Sequence, residues 1–285
     1  MLGVAFSGGG IRSAAQLGIM QALHDAGIKP EVFTGTSGGA IIATLLALGI
    51  PPRVALYKFK QSTDILDVAY WHIIKNALTR KPIQGLYKGE KLRNKLRESF
   101  EGNLFSDLDN PLGVVTTDLH TGTQVIYTNS LDMDYGQIND DNYVVIPARI
   151  MSLSDVVSAS CRLPAIFLPH EDGRLLLADG GLTNNLPSDI AKALGATRVI
   201  SIDMGYAGQK KEIGGLYSIL STSLDIMMER GVDGNKDSLD IYLNPEVYDV
   251  SILDFHRIEE CFDRGYKYGN DNIERIKEEL ASVHQ

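Results

Sequence analysis

Apolar and polar positions along the chain fall into runs of strand length followed by stretches of helical spacing. "LGVAFS" (residues 2–7) is an unbroken apolar run, and "IRSAAQLGIMQALHDAG" behind it places Ala15, Ile19, Ala22 and Ala26 on one side, with Gly27 as a stop. "EVFTGT" (31–36) predicts a second short strand. "SGGAIIATLLALG" (37–49) predicts a second helix, apolar nearly all round and therefore buried. Strand–helix–strand–helix at this spacing predicts an α/β fold with a mainly parallel central sheet. Pro51 and Pro52 close that unit. Residues 53–100 carry helical signals and few strand signals, and predict a helical excursion above the sheet. Downstream, "PLGVVTTDL" and "TQVIYTN" predict a hairpin through Thr121 and Gly122. "SLSDVVSASCRLP" predicts a helix stopped before Pro164, "GRLLLADGG" a strand running into a glycine turn, and "ATRVISIDM" a buried strand. The tail predicts a helix near 214–230, a strand at "LDIYLNP" and a charged helix over about 263–283. No repeat or linker divides the 285 residues, so 1–285 is expected to be one domain.

Composition adds little to this picture and charge adds more. Hydrophobic residues at 44% and charged residues at 22% suit a globular enzyme and exclude a disordered chain. The net charge of −9 argues against nucleic acid as a partner. Residues 51–100 hold eleven basic and four acidic side chains, a local balance of +7, which leaves −16 for the remainder. Within them "DVAYWHIIKNALTRK" mixes aromatic and aliphatic residues with Lys75, Arg80 and Lys81, the composition of an interfacial helix. The basic segment 53–97 is expected to touch a membrane surface, or else to pack a core face with the charges in solvent. The start of the chain lacks the pattern of a signal peptide, no stretch has the apolar length of a spanning helix, and Cys161 and Cys261 have no CxxC spacing. A cytoplasmic protein with reduced thiols, without cofactor or metal, is the expectation.

Three glycine-rich loops fall at strand ends, where open α/β sheets gather ligands. Ser37 sits in Gly35-Thr36-Ser37-Gly38-Gly39, between a strand and a helix, the context of a nucleophile elbow. The other reading is a plain helix cap, since serine is a favoured N-cap. In "SGGGIRS", the amides of Gly8, Gly9 and Gly10 suit an oxyanion, with Arg12 adding charge or anchoring the loop. Gly8, Gly10 and Ser13 also imitate a dinucleotide fingerprint, but the second strand ends in "TGTS" instead of an acidic residue. A structural glycine turn is the third possibility.

A serine nucleophile needs a base. An order Ser37, Asp179, His256 would fit a hydrolase triad, yet "LDFHRIEE" has no glycine turn to present its histidine. Asp179 follows the apolar strand "LLLA" and precedes Gly180 and Gly181, so it should emerge at a strand end and could serve as base directly if burial raises its pKa. Standing alone, that motif would be a tight turn.

Taken in order, "GGGIRS", "GTSGG", "SASCRLPAIFLP" and "DGGLTNNLP" resemble the patatin-like phospholipases, or lipid acyl hydrolases. Weaker echoes are "GLYKGEKLR", "PLGVVTTDLHTG", "LGATRVISID" and "DRGYKYG", so the resemblance covers nearly the whole chain. It implies a three-layer α/β/α fold and a serine–aspartate dyad in place of a triad. Ser37 is then the nucleophile, Asp179 the base, and Gly8, Gly9 and Gly10 the oxyanion donors, with Arg12 nearby. The substrate implied is a lipid or other acyl ester. Ser13 stands where that family usually has glycine, and Arg162 where its Ala-Ser-x-Ala motif ends. A soluble-ester hydrolase or thioesterase of the same fold, and a non-catalytic lipid- or protein-binding module, are the competing readings.

Overall fold

The structure is a computed structural model that describes residues 1–61, 79, 84–205, 214–233, 239–252 and 254–282. The segment "DVAYWHIIKNALTRK" lies outside the described residues apart from Thr79, and so does the expectation placed on it.

The first four elements are those of the hydrophobic pattern: β1 Leu2–Phe6, α1 Ala14–Asp25, β2 Val32–Thr36 and α2 Gly38–Ala47. A short 3-10 turn, Gly10–Ser13, precedes α1. Then come α3 Pro52–Gln61, β3 Gly85–Tyr87, α4 Glu90–Ser99, β4 Leu112–Asp118, β5 Thr123–Thr128, β6 Tyr143–Pro147 and α5 Leu153–Ser160. They are followed by β7 Ala165–Phe167, β8 His170–Asp172, β9 Leu175–Asp179, α6 Ser188–Ala193 and β10 Arg198–Ile202. Last are α7 Gly215–Asp233, β11 Ile241–Leu243, α8 Ile258–Asp271 and α9 Ile273–Ala281.

The central sheet runs β11-β10-β1-β2-β4-β5-β6, with β9 on β4 and β8 on β9. From β11 to β4 every pairing is parallel, while β4–β5, β4–β9 and β8–β9 are antiparallel. The sheet is covered on both faces, as crossover connections require. Val4 and Phe6 join one core with α1, α2, α3, α5 and α8, while Ala5 points the other way into a smaller core with Ile190 and Ala191 of α6 and Leu194 just beyond it. This is the expected three-layer α/β/α arrangement, with one thick and one thin helical layer.

Two sequence expectations change. Helix α1 is buried on every side from Ala14 to Leu23 because α3 and α8 pack over it, so the single apolar stripe was too narrow. Gly18 and Gly265 permit the contact: a Cβ at Gly265 would lie 2.0 Å from the Ala15 carbonyl oxygen. The closing helix starts earlier than about 263, at Ile258, and breaks at Asn272 into α8 and α9. Strand β3, within the segment expected to be helical, and strands β6, β7 and β8 have no counterpart in the hydrophobic pattern.

Candidate active site

Ser37 and Asp179 come together because two strands end nose to nose along one edge of β4. The other edge of β4 carries β5. On the shared edge, β2 runs parallel to β4 and ends with Thr36 opposite Val115. Strand β9 runs antiparallel and ends with Asp179 opposite Thr116, the next residue. The residue after Thr36 and the last residue of β9 therefore face each other across a gap of one register position.

Ser37 turns out of the sheet with φ 54° and ψ −125°, a conformation that L side chains rarely adopt. Holding it there costs about 1–3 kcal/mol, paid by the surrounding packing. Gly35 and Gly39 allow the turn to close: a Cβ at Gly35 would lie 2.5 Å from the Gly39 carbonyl oxygen, and one at Gly39 would lie 2.4 Å from that of Phe6. Ser37 stands at the N-cap position of α2, but its side chain makes no capping hydrogen bond to the first turn, which leaves the hydroxyl for other partners. It is half-buried, and its hydroxyl lies beside the Asp179 carboxyl.

Asp179 is 2% exposed. Burial pushes its carboxyl up to about 6, against opposing interactions from the Ser37 hydroxyl and from the Gly181 amide, which donates to it at 2.9 Å. Its own amide donates to the Arg162 carbonyl at 3.0 Å, and its carbonyl accepts from the Thr117 hydroxyl at 3.0 Å. Gly180 keeps the turn flat on β4, since a Cβ there would lie 2.2 Å from the Val115 carbonyl oxygen.

The triple-glycine loop faces the same pair. The Gly8 amide is already engaged by both the carbonyl and the side-chain oxygen of Asn185, at 3.2 and 3.1 Å. The amides of Gly9 and Gly10 have no acceptor among the described residues. Gly10 has φ +57°, and a Cβ there would strike the Ile252 carbonyl oxygen at 2.3 Å. Arg12 is buried and anchors the loop. Its Nε donates to the Gly9 carbonyl at 3.3 Å, a second nitrogen donates to Gly205, and Asp225 of α7 lies 3.6 Å away. Arg12 holds the Gly9 carbonyl through its Nε and its own amide, so the Gly10 N–H of the same planar trans peptide points the opposite way.

Ser37, Asp179 and Gly8 to Gly10 line one cleft of about 1000 Å³, counting its open mouth. Its walls are largely apolar: Ile41, Phe59 of α3, Leu92 of α4, Phe167, Met228 of α7 and Phe255. The described parts of the 53–100 excursion thus border the cleft. His256 does not: it is exposed on a 3-10 turn, and its neighbour Phe255 reaches the cleft instead. Among the described residues no cluster of His, Cys, Asp and Glu has the arrangement of a metal site, and no helix is long and apolar enough to cross a membrane.

Three residues at this site lie within motifs quoted above, but the sequence assigns them no role. Asn185 orders the glycine loop, Ser160 accepts from the Ser37 amide at 2.9 Å, and the buried Cys161 thiol lies against the Ser37 hydroxyl. Their only sequence cue is position, within "TNNLP" and "SASC" beside motifs of recognisable spacing.

Residues 4–192 match the family described as patatin-like phospholipase. The chain is 25% identical to rat patatin-like phospholipase domain-containing protein 7 over 94% of its own length and 20% of that protein's. It is 31% identical to an NTE family protein of Mycobacterium tuberculosis over 71% of its length and 30% of that protein's. The chain thus spans less than a third of these relatives. Among solved structures, VipD from Legionella pneumophila superposes with a TM-score of 0.52 at 15% identity, covering 96% of this chain and 66% of VipD, a likeness of fold.

Proposed function

Because the chain belongs to the patatin-like phospholipase family, we propose that it hydrolyses acyl esters of lipids with Ser37 as nucleophile and Asp179 as base. One observation carries the reading: the β2 and β9 ends hang from adjacent residues of β4, which sets a serine hydroxyl beside a carboxyl whose pKa burial raises to about 6. At neutral pH such a carboxylate is mostly ionised yet far more basic than an exposed aspartate.

Asp179 takes the Ser37 proton as Oγ attacks the ester carbonyl. The oxyanion accepts from the amides of Gly9 and Gly10, while Gly8, tied to Asn185, holds the loop in place. The start of α2 adds its dipole at the same point. Collapse returns the proton from Asp179 to the departing alcohol and leaves the acyl group on Ser37. Water then gives a proton to Asp179 and attacks the acyl carbonyl; as the bond to Oγ breaks, Asp179 returns that proton to Oγ, which releases the fatty acid and restores both residues. Ile41, Phe59, Phe167 and Phe255 supply an apolar wall for an acyl chain, and the basic residues of 53–97 supply a surface for anionic lipid. Every step above uses only groups of this chain and water, and we read residues 1–285 as one domain, cytoplasmic and peripheral to a membrane.

Fluorophosphonate labelling tests the assignment together with a p-nitrophenyl ester assay. Wild type is expected to be labelled at Ser37 and to hydrolyse the ester, and Ser37→Ala to lose the label and about 10⁴-fold or more of kcat. Labelling and turnover that survive Ser37→Ala would overturn the reading, as would the absence of both in wild type.

A further inference from the structure

The end of α5 meets the pair with three consecutive residues. Besides accepting from the Ser37 amide, the Ser160 hydroxyl donates to the Val115 carbonyl at 2.6 Å. Cys161 lies against the Ser37 hydroxyl, and the Arg162 carbonyl receives the Asp179 amide. Ser160 is fully buried.

The parallel ladder explains what Ser160 replaces. Phe33 donates its amide to the Pro111 carbonyl at 2.9 Å, one residue before its register partner Leu112. Parallel rungs repeat every second residue, so the rung due at the strand's end joins the Ser37 amide to the Val115 carbonyl. The turn at Ser37 opens that rung, and the half-buried Ser37 amide and the buried Val115 carbonyl would be left without a partner. The Ser160 hydroxyl occupies the opening, accepting from one and donating to the other.

We propose that Ser160 is a positioning residue: its hydroxyl, inserted into the last β2–β4 rung, holds Ser37 in its turned conformation and sets its reach to Asp179. The inference rests on the dyad reading above. Both members of the pair are then referred to consecutive residues of one strand, Ser37 to Val115 through Ser160 and Asp179 to Thr116 through the sheet. Without the hydroxyl the chain gains by closing the rung directly. That straightens β2 by one residue and swings Oγ away from the carboxyl.

The test compares wild type, Ser160→Ala and Ser160→Thr on a p-nitrophenyl ester, with kcat counted per fluorophosphonate-titrated site. Ser160→Ala is expected to lose about 10–100-fold in kcat with KM within about twofold, because a displacement near 1 Å has that effect on a reacting pair. Ser160→Thr, which keeps the hydroxyl, is expected to recover most of the loss. A residue that merely supported the fold would lower the titrated fraction and the melting temperature and leave kcat per site unchanged. Ser160→Ala with kcat within twofold of wild type, or with its loss confined to KM, would overturn the proposal. Should Ser160→Ala not fold, Ser160→Cys keeps the volume with a weaker hydrogen bond, and an unchanged kcat there overturns it equally. A wild type without Ser37-dependent turnover would sink the dyad reading instead, which separates the two failures.

Discussion

Asp118 and Asp179 close neighbouring strands, β4 and β9, and lie two register positions apart on one antiparallel ladder. Both are nearly sealed from solvent, at 3% and 2% exposure. Burial alone would raise either carboxyl. At Asp118 it is outweighed by the Thr121 hydroxyl at 2.7 Å, the Leu176 amide at 3.0 Å and the His120 amide at 3.3 Å, which hold the group below its ordinary value. Asp118 also lies beside the exposed hairpin turn, a short way from water. Asp179 lies deep, with the Gly181 amide and the Ser37 hydroxyl to offset its burial, and rises to about 6. Depth and the supply of donors, more than exposure itself, distinguish a carboxylate that pins a hairpin from one able to take a proton.

The most severe way to break this contrast is to replace each carboxylate by its amide. Asp179→Asn is expected to lower kcat by about 10³–10⁴-fold, the upper range for removing a positioned base. Asp118→Asn is expected to leave kcat within about threefold, because Asp118 does not line the cleft. Steady-state assays on the two variants decide it, and comparable losses would abolish the distinction. The pH profile sharpens it. If Asp179 must be ionised to accept the Ser37 proton, kcat/KM should fall tenfold per unit below about pH 6 and level off above it. A midpoint near 4 would mean that burial does not tune the base.

Much of this site is legible in the primary structure, and the reasons for the rest are physical. The β1–α1–β2–α2 run and the β4–β5 hairpin are visible because buried parallel strands, and two β-rich runs joined through Thr121 and Gly122, have local signatures. The loops holding Ser37, Asp179 and the three glycines are visible because each needs small residues at fixed offsets. What the sequence does not carry is the direction of β9. "LLLAD" reads the same in either sense, yet only the antiparallel sense brings Asp179 to face Ser37. Strand β6 is a partly exposed edge, and β7 and β8 have three residues each, so their pairing comes from neighbours and not from their own pattern. The commitment of the Gly8 amide to Asn185 is a contact between residues 177 positions apart, beyond any local rule.

A smaller effect separates the two aspartates in stability, with opposite signs. The raised carboxyl of Asp179 contributes stability below its unfolded value near 3.8, and this is lost as pH rises through about 6. Asp179→Asn removes the buried charge, so at pH 8 it should be more stable than wild type by about 1–3 kcal/mol, with the gap closing by pH 4. The lowered carboxyl of Asp118 contributes stability above its unfolded value and loses it as pH falls through the lower folded one. Asp118→Asn should therefore be less stable by about 1–2 kcal/mol at pH 8, with the deficit shrinking in acid. Denaturant melts at pH 8 and pH 4 measure both, and shifts of one sign would show that the two carboxyls do not differ as their surroundings require.

The smallest expected effect belongs to the residue that a triad would make indispensable. His256 stands in the right order after Ser37 and Asp179, but it is carried on the exposed turn Phe255–Arg257 at the mouth of α8. That turn is set by its apolar member. Phe255 reaches into the cleft, and Arg257 ties the outer side to Asp249 and Glu260 at 2.7 and 2.5 Å. With both flanking side chains fixed, the imidazole between them is held in solvent, away from the buried carboxyl that would have to orient it. His256→Ala should keep kcat and KM within about twofold of wild type at pH 8, far from the effect of Asp179→Asn. A loss of a hundredfold or more in His256→Ala, with the glycine loop intact and the protein folded, would mean that the turn closes over the cleft during turnover and that the base is a histidine after all.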